Sequence, residues 1–162
     1  MKTLIVYGSK YGFAKDCAEK LAQQLNGDVT CVNAADGTVP PIREFDNVIV
    51  GGSIYMGQIQ KEVKEYCNAH TEELCGKRIG LFLCCGLPEN LEQEIKGSFP
   101  EKLLEKAIAV ENFGGELRME KMKLMHKMIT KMMMKVAEKE GKEPPKALPE
   151  NISKLAAVMN DI

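Results

Sequence analysis

The chain has 162 residues, of which 44% are hydrophobic and 28% charged, and its formal net charge is −1. This length suits a single domain with its own core, and the near-neutral charge argues against nucleic acid as a partner. No apolar run approaches the ~20 residues of a membrane span, and the first residues lead into a strand-like segment rather than a secretory signal. We therefore expect a cytoplasmic protein with reduced thiols, since its six cysteines form no Cys-x-x-Cys pair.

Apolar runs of strand length alternate with segments of helical periodicity along most of the chain. The predicted strands are Thr3–Tyr7, Val29–Asn33, Asn47–Gly52, Ile79–Cys85 and Ala107–Phe113. The predicted helical segments between them are Ala14–Leu25, Ile59–Cys67, Glu89–Lys96 and Glu101–Lys106. Such alternation predicts an α/β fold, in which helices cover both faces of a parallel sheet.

A Met/Lys-rich helical run, Met119–Glu140, precedes the Pro-containing linker Gly141–Pro149 and a last amphipathic helix. We interpret residues 1–162 as one domain with a helical insert and linker at 118–149. The apolar face of the insert is predicted to comprise Met122, Met125, Ile129, Met132 and Met133, beside a basic row of Lys123, Lys127, Lys131 and Lys135. This face suits packing on the sheet or in a homodimer interface. It also suits contact with a membrane, a quinone or a flat apolar substrate. We favour packing over peripheral membrane contact because tryptophan is absent.

Three predicted strands are followed by glycine-containing loops, GSKYGFA (Gly8–Ala14), GGSIYMGQ (Gly51–Gln58) and CCGLPEN (Cys84–Asn90). In a parallel sheet these loops meet at the carboxyl edge, where ligands bind. The first loop leads into a helix, whose free N–H groups and positive dipole end stabilise a phosphate. The loop alone fits an ordinary strand-to-helix turn equally well. It lacks both the Walker A and the dinucleotide-binding glycine patterns.

These three loops, in this strand order, resemble the flavodoxin-like family. The resemblance covers residues 1 to about 113 and resumes in the final helix. It implies an open, doubly wound parallel five-stranded sheet of order 2-1-3-4-5 and FMN as the cofactor. It implies cofactor contacts from Ser9, Lys10, Tyr11, Gly12, Phe13 and Ala14 in the first loop, from Ser53, Ile54, Tyr55, Met56 and Gly57 in the second, and from Cys85, Gly86 and Leu87 in the third.

The first loop departs from the family pattern at Tyr11, Phe13 and Ala14, which replace side chains able to donate to a phosphate. Backbone N–H groups, helped by Ser9 and Lys10, are therefore expected to carry that binding. In the second loop, Tyr55 or Met56 is expected against the flavin ring, and the peptide before Gly57 is expected to reach its N5 atom.

The resemblance implies an FMN-dependent oxidoreductase or electron-transfer protein, and GGSIYMG with the late insert is most similar to flavodoxin-type protoporphyrinogen dehydrogenases. Its partner would be a redox protein or a small apolar substrate such as a quinone or porphyrinogen. The alternative is a non-redox ligand-binding or signalling module on the same fold, disfavoured because the first strand ends in Gly-Ser rather than Asp-Asp. We expect no catalytic side chain and no metal ligands. His70 and His126 are expected to be solvated surface residues.

Overall fold

Five strands form one parallel sheet in this computed structural model, which describes residues 1–161. They are β1 (Lys2–Gly8), β2 (Asp28–Asn33), β3 (Asn47–Ser53), β4 (Arg78–Cys84) and β5 (Ala109–Asn112). Their order across the sheet is β2-β1-β3-β4-β5, so the predicted fold and strand order are confirmed. Ile162, the last residue of the predicted domain, lies outside the described residues.

The register brings the carboxyl ends of three strands to nearly the same level. Gly8 of β1 is paired with Gly52 of β3, and the next residue, Ser53, is paired with Cys84 of β4. The loops that follow these three strands therefore leave the sheet side by side. This alignment is what creates the site described below.

Residues 1–161 contain seven α-helices. They are α1 (Phe13–Gln24), α2 (Lys61–Ala69), α3 (Thr71–Cys75), α4 (Leu91–Ser98), α5 (Glu101–Lys106), α6 (Leu124–Lys139) and α7 (Pro149–Asn160). The predicted Met/Lys helix is interrupted, because a short 3₁₀ turn at Met119–Lys121 precedes α6.

Two apolar cores lie on opposite faces of the sheet. α1 and α7 cover one core, which includes the fully buried Leu21 and Leu155, and α2 and α5 cover the other, which includes Val63 and Leu103. The continuous apolar strands predicted such two-sided burial. β3 has a glycine at position 51 because a Cβ there would overlap the ring of Phe82, its register partner on β4.

The insert leaves the sheet after β5 and returns to almost the same point. The N–H of Gly115 donates to the carbonyl of Lys146 (3.0 Å), and the N–H of Leu148 donates to the carbonyl of Phe113 (2.9 Å). These bonds join the two ends of the insert directly before α7. Within residues 1–161, no helix is both long enough and apolar enough to cross a membrane.

Candidate functional site

The loops after β1, β3 and β4 open into a cavity of about 920 Å³, and α6 lies over it. The predicted residues that line the cavity are Lys10, Tyr11, Phe13, Ser53, Ile54, Tyr55, Met56, Gly57, Cys85, Gly86 and Leu87. Ser9, Gly12 and Ala14 form the adjoining turn into α1. The volume and mainly apolar wall are typical of a small-molecule site.

The turn between β1 and α1 is organised around the hydroxyl of Ser9. Its oxygen accepts hydrogen bonds from the N–H groups of Gly12 (3.0 Å) and Lys15 (3.3 Å). Gly12 has a φ of 95°, a left-handed conformation that glycine tolerates without cost. The N–H groups of Phe13 and Ala14 lie in the first turn of α1, where a helix provides no carbonyl acceptor. This turn can therefore bind an anion through its backbone.

The second loop contains a tight turn from Tyr55 to Gln58, closed by two reciprocal backbone hydrogen bonds of 2.9 and 3.0 Å. Its two central residues, Met56 (φ 51°) and Gly57 (φ 75°), both have positive φ, as a type I′ turn requires. Met56 is the only non-glycine residue with positive φ within residues 1–161. Backbone strain of this kind is commonly retained at ligand-binding loops.

The first and second loops are joined through the side chain of Ser53. Its hydroxyl oxygen accepts bonds from the backbone N–H of Lys10 (3.3 Å) and from Nε2 of Gln60 (2.7 Å). The Oε1 atom of Gln60 in turn accepts the N–H of Ser53 (3.2 Å). The two loops are therefore held together before any ligand binds. Gln60 was not among the predicted site residues.

The third loop is held in place by two further side chains that were not among the predicted site residues. The amide of Asn112, at the end of β5, accepts the N–H of Cys85 (3.0 Å) and donates to its carbonyl (3.1 Å). The thiol of Cys85 donates to Oε2 of Glu94 (2.6 Å), a buried carboxyl group on α4. Burial, together with the Glu94 carboxyl, raises the pKa of Cys85 to about 12, so the thiol remains protonated at neutral pH.

An aromatic cluster connects the first two loops to α6. The hydroxyl of Tyr11 shares a 2.5 Å hydrogen bond with Nδ1 of His126, and the His126 ring lies 4.9 Å from the Tyr55 ring, between centroids. The Nζ atom of Lys10 lies 5.2 Å from the centroid of Tyr55, on the second loop. The prediction that His126 is a solvated surface residue is therefore wrong. The buried Tyr55 hydroxyl has no hydrogen-bond partner in the described part of the chain.

The part of the insert that covers the cavity shows only some of the packing that the methionine pattern predicted. Met122 and Ile129 are half-buried against the cavity, whereas Met125 is 71% exposed and Met132 67% exposed. The prediction that the methionine face packs on the sheet is therefore wrong within this chain, because α6 bridges the loops instead. That a homodimer interface covers this face stays a prediction.

Two cations from the insert lie beside the first turn of α1. A Cβ built at Gly12 would be 3.0 Å from Nη1 of Arg118 and 3.4 Å from Nζ of Lys121. Nη2 of Arg118 forms ion pairs with Asp16 (2.6 Å) and Glu116 (3.3 Å). The hydrogen bond from Arg118 holds the pKa of Asp16 below its usual value. Neither cation was predicted, because no short-range spacing connects them to the first loop.

A family model described as "Flavodoxin domain" matches residues 4–143 of the chain. A short-chain flavodoxin associated with a non-canonical PDU bacterial microcompartment superposes with a TM-score of 0.61 at 14% identity, over 98% of this chain and 96% of that one. The flavodoxin of Streptococcus pneumonia TIGR4 gives a TM-score of 0.56 at 14% identity, over 98% and 97%. A Fusobacterium nucleatum flavodoxin mutant bound to flavin mononucleotide gives 0.50 at 17% identity, over 67% of this chain and 66% of that one. At these identities the structural matches show the shared fold.

Proposed function

Because the chain belongs to the flavodoxin domain family, we propose that it binds FMN and acts as an oxidoreductase or electron carrier. The proposal is carried by the fact that two features of the structure are adjacent. The anion-binding first turn of α1 adjoins the mainly apolar cavity that the other two loops enclose. FMN combines a phosphate with an apolar ring system, and it supplies the redox chemistry when bound.

The chain's own groups fit that cofactor. The tight turn at Gly12 and the free N–H groups of Phe13 and Ala14 suit a phosphate. Tyr55 lines the cavity, where its ring offers an apolar surface to the flavin. The peptide between Met56 and Gly57 lies in a turn whose strain favours rearrangement on binding.

The remaining residues of the site orient and shield the ligand. The Ser53 and Gln60 side chains hold the first two loops at a fixed separation, and Asn112 fixes the third. α6, through Ile129, covers part of the cavity, which stays open to solvent on its other side. A preorganised site of this kind binds a charged group without having to reorganise its own dipoles.

The finer proposal is dehydrogenation of a large apolar macrocycle of the porphyrinogen class, with a quinone as electron acceptor. It is supported by the methionines of α6, since a flexible thioether surface accommodates large apolar molecules. Met125 and Met132 of α6 are both largely exposed, and Met132 also lines the cavity, so the helix provides such a surface at the cavity. Oxidation of porphyrinogen by the FMN-loaded protein with a soluble quinone, followed by porphyrin fluorescence, tests this assignment, and absence of turnover would contradict it.

The cofactor proposal is tested by adding FMN to the purified, flavin-free protein and following the quenching of flavin fluorescence. We expect saturable binding and a yellow complex that survives gel filtration. Substitution of Ser53 by alanine should weaken this binding, because it removes the hydroxyl that joins two loops. The matched control Ser153→Ala lies on α7 and should bind like wild type. Failure of the wild-type protein to bind FMN would refute the proposal.

A further inference from the structure

We propose that Arg118 and Lys121, from the insert, are ligands of the FMN phosphate and complete its binding site. This inference rests on the proposed function and extends it to residues outside the three loops. The first loop has Tyr11, Phe13 and Ala14 where side chains that donate hydrogen bonds to a phosphate were expected, which leaves Ser9 and Lys10 as the polar side chains expected to help there. The insert supplies further donors and further positive charge.

The position of the two cations supports this assignment. Nη1 of Arg118 and Nζ of Lys121 lie 3.0 and 3.4 Å from the place where a Cβ of Gly12 would be. Both therefore border the turn whose backbone N–H groups are free to bind an anion. A Cβ at Gly12 would crowd Nη1 of Arg118, which gives the glycine a second reason to be there besides its φ of 95°.

The guanidinium of Arg118 is oriented before any ligand arrives. Its side chain is only 14% exposed, and its Cζ lies 5.8 Å from the centroid of the Phe13 ring. Both carboxylates that it contacts, Asp16 and Glu116, bind Nη2, which leaves Nη1 on the side of Gly12. Asp16 is therefore a positioning residue. A planar guanidinium held in this way can bind a carboxylate and a phosphate at the same time.

Lys121 adds a second cation beside the same turn, near Asp16, whose pKa it also lowers. Whereas Arg118 has two carboxylate partners, Lys121 forms no ion pair within residues 1–161. Its side chain ends in three donors on a flexible stem, which suits a phosphate that arrives later. A charged hydrogen bond to phosphate strengthens affinity by about tenfold to a hundredfold.

The competing interpretation is that Arg118 is only a structural link between the insert and α1. The two interpretations differ in what Asp16 does. If the pair is only structural, Asp16→Asn and Arg118→Gln should have equal effects. If Arg118 binds phosphate, Asp16→Asn keeps the cation and only Arg118→Gln removes it.

The experiment titrates FMN and riboflavin into the flavin-free full-length protein, because riboflavin lacks the phosphate. The variants are Arg118→Gln, Lys121→Gln and Asp16→Asn, with Lys135→Gln as a control for loss of a surface charge on α6. We expect Arg118→Gln and Lys121→Gln each to weaken FMN binding by about tenfold or more. Riboflavin binding should be unchanged, and Lys135→Gln should keep the wild-type preference for FMN. Asp16→Asn, which keeps the Arg118 cation but loses the carboxylate that orients it, should lower that preference by less than Arg118→Gln does.

Circular dichroism of each variant establishes that it is folded, and Lys121→Gln breaks no ion pair, so it tests the inference even if Arg118→Gln fails to fold. An unchanged ratio of FMN to riboflavin affinity in Lys121→Gln and in folded Arg118→Gln would overturn the inference and leave the proposed function intact. Wild-type protein that binds neither flavin would overturn both.

Discussion

Replacing Gly12 or Gly57 by alanine should separate backbone strain from ligand binding, because the two glycines share one conformation but have different neighbours. Their φ values are 95° and 75°, and an L-residue in the left-handed region costs about 1–2 kcal/mol. A Cβ at Gly57 would meet nothing within 4 Å, whereas a Cβ at Gly12 would meet the ends of Arg118 and Lys121. A shift of a few tenths of an ångström by the end of Arg118 relieves the one tight contact, so the two variants should lose similar free energy of unfolding.

The difference should appear in flavin binding. Gly12→Ala shifts the Arg118 guanidinium, whose Nη1 would be 3.0 Å from the new Cβ, and should lower affinity for FMN more than for riboflavin. Gly57→Ala stiffens the second loop and should affect both flavins alike. Urea unfolding measures the stability loss as a fall in midpoint of roughly 0.5–1 M, given an m-value of about 2 kcal/mol/M. A Gly57→Ala variant as stable as wild type, or a Gly12→Ala variant with the wild-type FMN preference, would refute this reasoning.

Three further outcomes are expected. Gly97→Ala, at an exposed and uncrowded position in α4, should raise the free energy of unfolding by about 0.5–1 kcal/mol in urea titrations, and a loss would contradict this. The pKa of Asp16 is lowered in the folded state, so the stability that this carboxylate contributes should be lost as the pH falls below 3.8, the ordinary pKa of an aspartate, and through the lowered pKa. Arg118→Gln should lose less stability in acid, and a pH profile of stability identical to that of wild type would refute the role of the Asp16–Arg118 pair. Cys84 and Cys85, both buried, should react with a thiol reagent only after unfolding, unlike the exposed Cys31. Peptide mass spectrometry locates the labels, and native-state labelling at Cys84 or Cys85 would disprove their burial.

The fold was largely predictable because its signals are local. Apolar runs marked all five strands, and the segment Glu101–Lys106 has the predicted bounds in the structure. Errors concentrate in the insert, where methionine periodicity predicted one packed helix. The structure instead has a 3₁₀ turn, α6 and an apolar face that is largely exposed. Periodicity identifies an apolar face, but it does not say whether that face has a partner.

The site was predictable only where it depends on loops at the ends of strands. The contacts that organise it connect distant positions, such as Tyr11 with His126 and Asp16 with Arg118, which are 115 and 102 residues apart. Glu94 was missed for a similar reason, since a carboxylate in an amphipathic helix normally faces solvent. Such pairings cannot be predicted from the spacing of a motif, because they depend on how the insert folds back over the loops.

The hydrogen bonds between the two ends of the insert have a consequence for how this protein can vary. Gly114 and Ala147 are joined by a β-bridge, so the residues between them form an insertion whose two ends lie next to each other. Its length and sequence can change without altering the spacing between β5 and α7. The ligand specificity of the site can therefore change when this whole insertion is replaced, while the five-stranded sheet keeps its structure.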